Sequence, residues 1–224
     1  MLGTVVNSVA VLLGGLLGFF IKGGIPERSR QTVMNALGLT VVLIGLSMGL
    51  RTENVLVVLG SLVLGGFLGE WIDIEKRLHR AAARMQARFV SGDSSMAQAF
   101  VATSLIYCVG AMAITGSMES GLTGNHSTLY AKSMIDGISS VIFASTMGIG
   151  VAFSAISVFV YQGTLTLLAG QLSGLLTDVA VREMTATGGI LIVAIGLNVL
   201  GLKETRVGNL IPAIFLALIF SMIL

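Results

Sequence analysis

From Gly137 to Thr177 the chain carries no charged side chain. At 1.5 Å per residue a helical run of that length reaches about 60 Å, roughly twice the hydrocarbon thickness of a bilayer. The run is therefore expected to cross a membrane twice. No polar loop divides it. Gly148-Ile149-Gly150 reads as the break, with Ser154 and Ser157 close behind, so Gly148 and Gly150 are the candidate hinge. Lys132 and Asp136 stand at the mouth of the run, either as a functional site or as an interfacial anchor.

The rest of the sequence agrees with a membrane setting. Apolar residues make up 54% of the chain and charged residues 11%, far fewer charges than a soluble domain carries. The 29 glycines, against two prolines, suit helices packed backbone to backbone. Apolar spans are expected at about 3–22, 33–50, 54–72, 97–117, 133–149, 151–177, 185–201 and 207–224. The first run is too long, and its start too poor in basic residues, to read as a cleaved signal. The single cysteine, Cys108, lies in an apolar run and reads as a small packing residue.

Lysine and arginine orient the spans. With about eight crossings one side receives Lys22, Arg28, Arg30, Lys76, Arg77, Arg80, Arg84, Arg88, Lys203 and Arg206. The other receives only Arg51, Lys132 and Arg182. The richer side is expected to be cytoplasmic, with both termini outside; seven crossings would weaken the bias. Between Ile74 and Val90 the apolar residues Ile74, Leu78, Ala81, Met85 and Phe89 recur at helical spacing opposite Lys76, Arg77, Arg80, Arg84 and Arg88. This segment is expected to lie on the cytoplasmic surface against anionic headgroups. It lacks the interleaved aromatics of a nucleic-acid surface.

The sequence also resembles itself. Leu12-Leu13-Gly14-Gly15-Leu16-Leu17 is similar to Leu167-Leu168-Ala169-Gly170-Gln171-Leu172. The stretch from Gly38 to Ser47 is similar to that from Gly189 to Asn198. The copies begin five crossings apart, and an odd offset inverts one relative to the other. The charge bias of their turns agrees. The expected organisation is an all-α polytopic protein: repeat copy one over 1–72, an interfacial segment over 73–96, a two-helix insert over 97–150, and copy two over 151–224. Inverted repeats of this kind build many secondary transporters, with the binding site between the copies near the midplane.

Polar side chains inside spans must find partners, so they face a neighbouring helix or a cavity. The repeat sets Asn7 opposite Gln162 and Ser47 opposite Asn198. Lys132 and Asp136 are four residues apart and can pair on one helix face, with Ser139, Ser140, Ser145 and Thr146 continuing below them. These residues are the candidate ion or solute pathway; plain interhelical hydrogen bonding is the alternative. Glu70 and Trp71 read as an interfacial anchor. Gly14/Gly18, Gly45/Gly49, Gly65/Gly69 and Gly170/Gly174 mark tight packing, within or between protomers. No catalytic motif appears, and His79 and His126 are far apart, so neither an enzyme nor a metal or cofactor site is expected.

Asn7, the run Ala10-Val11-Leu12-Leu13-Gly14-Gly15 and Pro26-Glu27-Arg28 resemble the start of the YdfK/YqgA-type bacterial inner-membrane proteins, the domain of unknown function 554. More specific is the middle: Gly116-Ser117-Met118, Gly121-Leu122-Thr123-Gly124, Ala131-Lys132-Ser133 and Asp136. The resemblance covers essentially the whole chain. It implies a multi-pass bacterial plasma-membrane protein and supplies no catalytic or binding residues. The expected function is therefore argued from the residues: a small secondary transporter or channel-like permease for a small polar solute or ion, as a homodimer. The other reading is a non-transporting scaffold or regulator acting through the basic helix.

Overall fold

The computed structural model describes residues 1–22, 27–77, 80 and 96–223. These residues form helices α1 (Leu2–Lys22), α2 (Glu27–Gly49), α3 (Val55–Ile72), α4 (Met96–Cys108), α5 (Ala111–Leu122), α6 (Ser127–Met147), α7 (Gly150–Leu167), α8 (Ala169–Leu172), α9 (Asp178–Val199) and α10 (Pro212–Phe220). A 3-10 turn, Val207–Leu210, precedes α10. No strand occurs among the described residues. Most of the basic segment expected over 74–90 lies outside them, including Arg84 and Arg88.

The helices begin and end for local reasons. Asn54 caps α3, its side chain accepting from the Leu56 N–H at 3.1 Å. Thr177 caps α9 by accepting from the Ala180 N–H at 3.2 Å, and Asp178 adds negative charge to the first turn. Pro212 opens α10, where its missing N–H costs nothing. Between α6 and α7 the backbone turns at Gly148, whose φ of 90° a residue with a Cβ rarely adopts. The long uncharged run therefore breaks at Gly148, and Gly150 is the first residue of α7.

Four of the described helices are long and apolar enough to cross a membrane: α1, α3, α7 and α9. The expected crossing at 97–117 is instead two helices, α4 and α5, bent by 58° at the break. Residues 33–50 and 207–224 yield shorter apolar helices, Met34–Gly49 and Val207–Phe220. The expected sixth span, 151–177, ends at Leu167, with α8 following as a single turn. Two helices start earlier than hydropathy suggests. α9 begins at Asp178 rather than near 185, and α6 at Ser127 rather than near 133. α6 is as long as α1, but its polar residues keep it out of the apolar set.

The chain divides into two compact units. The first contains α1 and α4 to α8. In it α1 runs parallel to α6, with Gly14 against the Gly137 carbonyl and Gly18 against the Val141 carbonyl. On its other side α1 runs antiparallel to α7, where a Cβ on Gly15 would sit 2.6 Å from the Ala152 Cα. α4 runs parallel to α7, with Gly150 at the Met96 carbonyl and Ser104 bonded to Ser157 at 2.9 Å.

The second unit contains most of α2, with α3, α9, the 3-10 turn and α10. α2 and α9 cross with their backbones in contact. A Cβ on Gly45 would lie 2.5 Å from the Val193 nitrogen and 2.6 Å from the Gly189 carbonyl oxygen. α3 and α10 pack likewise, Gly65 on Ala213 and Gly69 on Asn209. The glycine pairs of α1, α2 and α3 thus pack within the chain, whereas Gly170 and Gly174 meet nothing. Since neither backbone can yield, Gly45→Ala should cost about 1–3 kcal/mol by overpacking, read as a lowered unfolding temperature in detergent. Gly170→Ala should leave that temperature unchanged.

Candidate functional site

The polar residues of the first unit gather in its interior. Asp136 is the tenth residue of the 21-residue α6, so it sits near the middle of that helix rather than at its mouth. One turn earlier is Lys132, and its Nζ reaches both carboxylate oxygens of Asp136, at 2.8 and 3.0 Å. Lys132 is 6% exposed and Asp136 4%. Both groups therefore lie inside the first unit, on a helix that starts six residues earlier than expected.

Asn7 on α1 completes the clamp. Its Nδ2 donates to the Asp136 carboxylate at 3.1 Å, and the residue is wholly buried. The parallel packing of α1 on α6 through Gly14 and Gly18 is what brings Asn7 level with Asp136. One turn beyond Asp136, Ser140 Oγ donates to the buried Tyr107 hydroxyl of α4 at 2.9 Å. Near the start of α1, the Thr4 hydroxyl meets that of Thr166, at the end of α7, at 3.4 Å. The hydroxyls of Ser133 and Ser139 bond back to their own helix, at the Leu129 and Asp136 carbonyls.

Several buried polar atoms in this unit have no protein partner: Asn7 Oδ1, both side-chain heteroatoms of Gln162 and the Ser117 hydroxyl. A groove of about 620 Å³ between α1 and α6 is lined in part by Ser133 and Gly137, the sequence neighbours of Lys132 and Asp136. Neither member of the ion pair lines it.

The other expected pathway residues fall elsewhere. Ser47 is exposed and donates to the Ile44 carbonyl of its own helix at 2.7 Å. Asn198 closes the turn after α9, bonding the Thr205 N–H and carbonyl at 2.8 Å each. Both belong to the second unit, and neither contributes to the cluster around Asp136. In that unit Glu183, read from the sequence as part of a loop, is 1% exposed. It accepts from the Thr52 hydroxyl at 2.5 Å and from the Glu53 N–H at 3.0 Å. Thr177-Asp178 ahead of an apolar run was the available signal that a helix starts there. Glu70 reaches further than an anchor: it accepts from Arg206 at 2.7 Å and Asn209 at 2.5 Å. His126 bonds Ser120 at 2.9 Å across the α5–α6 turn. No group of three His, Cys, Asp or Glu suited to a metal occurs among the described residues.

Apolar helices of spanning length, glycine-mediated contacts and an ion pair held inside a helical unit define a multi-pass helical membrane protein. The chain belongs to the family described as "Protein of unknown function (DUF554)", which it matches over residues 2–222. It is 33% identical over 225 residues to "Uncharacterized protein YqgA" of Escherichia coli strain K12, covering 98% of this chain and 96% of that protein. It is 30% identical over 220 residues to "Uncharacterized membrane protein YdfK" of Bacillus subtilis strain 168, covering 96% and 93%. No solved structure matches the chain.

Proposed function

We propose that this protein is a small secondary transporter or permease of the bacterial plasma membrane, with Lys132 and Asp136 as its charge-bearing centre. The observation that carries this reading is the ion pair itself, buried at mid-helix and clamped by Asn7. Ionised groups at membrane depth are costly. They are kept where they mark an ion or substrate route.

The packing supports the inverted-repeat organisation on which the reading depends. Each helix of the first copy lies antiparallel against its counterpart in the second: α1 on α7, α2 on α9, α3 on α10. The α2–α9 contact is its own image under the repeat. Gly38 corresponds to Gly189 and Gly45 to Gly196. The contacts are Gly45 with Gly189 and Gly38 with Gly196. Helix directions within each unit also agree with eight crossings if α4 and α5 together make one broken crossing.

Reconstitution tests the proposal. Purified protein in liposomes should move at least one small polar solute or ion from a broad panel, and Asp136→Asn should reduce that flux to the level of empty vesicles. Flux unaffected by Asp136→Asn, or none for any solute, removes the assignment.

A further inference from the structure

The unpartnered atoms of the first unit lie on helices that pack against one another, and their chemistry is specific. Thr4 and Thr166 fix the register of α1 against α7. One turn inward from Thr4 is Asn7, and one turn inward from Thr166 is Gln162. Since the helices are antiparallel, both steps run the same way. Each residue keeps to the face its threonine turns toward the partner helix, so the two amides belong to the same buried α1–α7 seam. Buried polar side chains ordinarily find hydrogen-bond partners. Here Asn7 Oδ1, Gln162 Oε1 and Gln162 Nε2 all lack a protein partner. Gly121 of α5 abuts the Thr166 carbonyl, and one turn back on α5 is Ser117, whose buried hydroxyl also lacks one. Asp136 adjoins this group through Asn7.

What adjoins Asp136 is thus rich in oxygen. Beside the carboxylate stand two orphaned carbonyl oxygens, one orphaned hydroxyl and one orphaned amide nitrogen, so four oxygen-bearing groups are within reach of a cation that could draw on them. The one strong cation present is the Lys132 ammonium, and Asp136 is its only protein partner among the described contacts. Oxygen ligands of this kind, with one net negative charge, suit a hard monovalent cation. We infer that Asp136 is a sodium site whose resident occupant is the Lys132 ammonium. Sodium enters as that ammonium withdraws, taking oxygens from Asp136, Asn7, Gln162 and Ser117. This deepens the transporter reading and rests on it: the sodium ion is the coupling ion, and the ion pair is the ion-free state. Asn7 turns its carbonyl, rather than its amide N–H, toward the bound ion.

Equilibrium binding of radioactive sodium to the intact protein in detergent, with choline as the replacement cation, tests this apart from flux. The wild type should bind one sodium ion per chain, saturably. Lys132→Gln removes the competing ammonium and should tighten binding by roughly tenfold or more. Gln162→Leu and Ser117→Ala should weaken it, and Asp136→Asn should abolish it. A gain of affinity in Lys132→Gln cannot arise from misfolding, so that variant keeps the test sharp if the others fold poorly. Absence of saturable binding in both wild type and Lys132→Gln overturns the sodium site, as does affinity unchanged by Lys132→Gln. Solute flux that persists unchanged when choline replaces sodium overturns the site while sparing the transporter. Sodium binding without flux does the reverse.

Discussion

Asp136→Ala should destabilise the protein by about 3–5 kcal/mol, because it leaves the Lys132 ammonium buried with nothing to neutralise it. The ammonium sits in the interior of the first unit, with its carboxylate 2.8 Å away. Without that carboxylate it must lose its proton, drag water inward or force the helix apart. Removing both charges should behave differently. A Lys132→Met/Asp136→Leu double variant replaces the pair with apolar side chains of similar size, which in buried sites is often neutral or stabilising. It retains only the cost of the Asn7 amide left without its acceptor, about 1–3 kcal/mol. Unfolding midpoints should therefore rank wild type and double variant close together, with Asp136→Ala well below both. The double variant should fold and transport nothing. That result separates the two reasons a cell could keep such a pair, since stability does not require it and ion handling does. A double variant as unstable as the single one would mean that the pair is a structural element after all.

The register of α6 decided how much of the site could be read in advance. Lys132 and Asp136 share a helix face at a spacing of four, and that much is visible in any sequence. Their depth was not. Residues 127–132 include two hydroxyls, a tyrosine and a lysine, and hydropathy counts them as loop. Hydropathy scores the transfer of side chains, whereas a helix continues as long as its backbone bonds are satisfied and its polar groups find partners inside. Here Ser133 bonds back to the Leu129 carbonyl and Lys132 finds Asp136 on its own helix. Six residues conventionally assigned to water thus join the helix. The same argument moves the start of α9 from near 185 to Asp178, where Glu183 is satisfied by the turn it faces.

Long-range partners explain the remaining differences. The similarity of the copies paired Asn7 with Gln162, and both are wholly buried within the first unit. It also paired Ser47 with Asn198, which have unrelated surroundings. Sequence similarity locates a residue along a helix to within a turn, but not the face it occupies. Ser47 stands two residues from both Gly45 and Gly49, which face α9, and that rotation is enough to leave it exposed. The break between α4 and α5 was hidden for a related reason. Gly110 at the break has no close neighbour, so it marks a change of backbone direction rather than a tight contact, and glycine alone does not distinguish the two.

The second large effect is expected at Glu183. Its carboxylate joins the start of α9 to the turn between α2 and α3, taking the Thr52 hydroxyl and the Glu53 N–H. Arg182 adds a second tie to the same turn, reaching Glu53 at 2.7 Å. Hydrogen bonds to a charged group are worth about 1.5–3 kcal/mol each. Glu183→Ala removes two, so a loss of about 3 kcal/mol or more is expected. Glu183→Gln keeps one good acceptor and should lose less. Thr52→Val should lose less again, and its effect should largely disappear in the Glu183→Ala background, since both changes delete the same bond. Hydrogen exchange provides the local reading: the amides of Glu53 and the first turn of α3 should exchange faster in Glu183→Ala, while those of α1 and α6 stay protected. Unchanged exchange at Glu53 would mean that the carboxylate does not hold the turn. The turn after α9 is built by different means. Asn198 closes it from its own helix, and Glu70 grips it from α3 through Arg206 and Asn209. A buried carboxylate holds one turn from the neighbouring α9. The other is held by an amide within its own helix, by the more exposed Glu70 on α3, and by Glu75 just beyond α3, which accepts from the Gly208 N–H at 2.6 Å and donates its own N–H to the Asn209 side chain at 2.7 Å. Because the first turn depends so heavily on one buried side chain, a change at Glu183 should loosen it alone, whereas loosening the second should require changes at Asn198, Glu70 and Glu75 together.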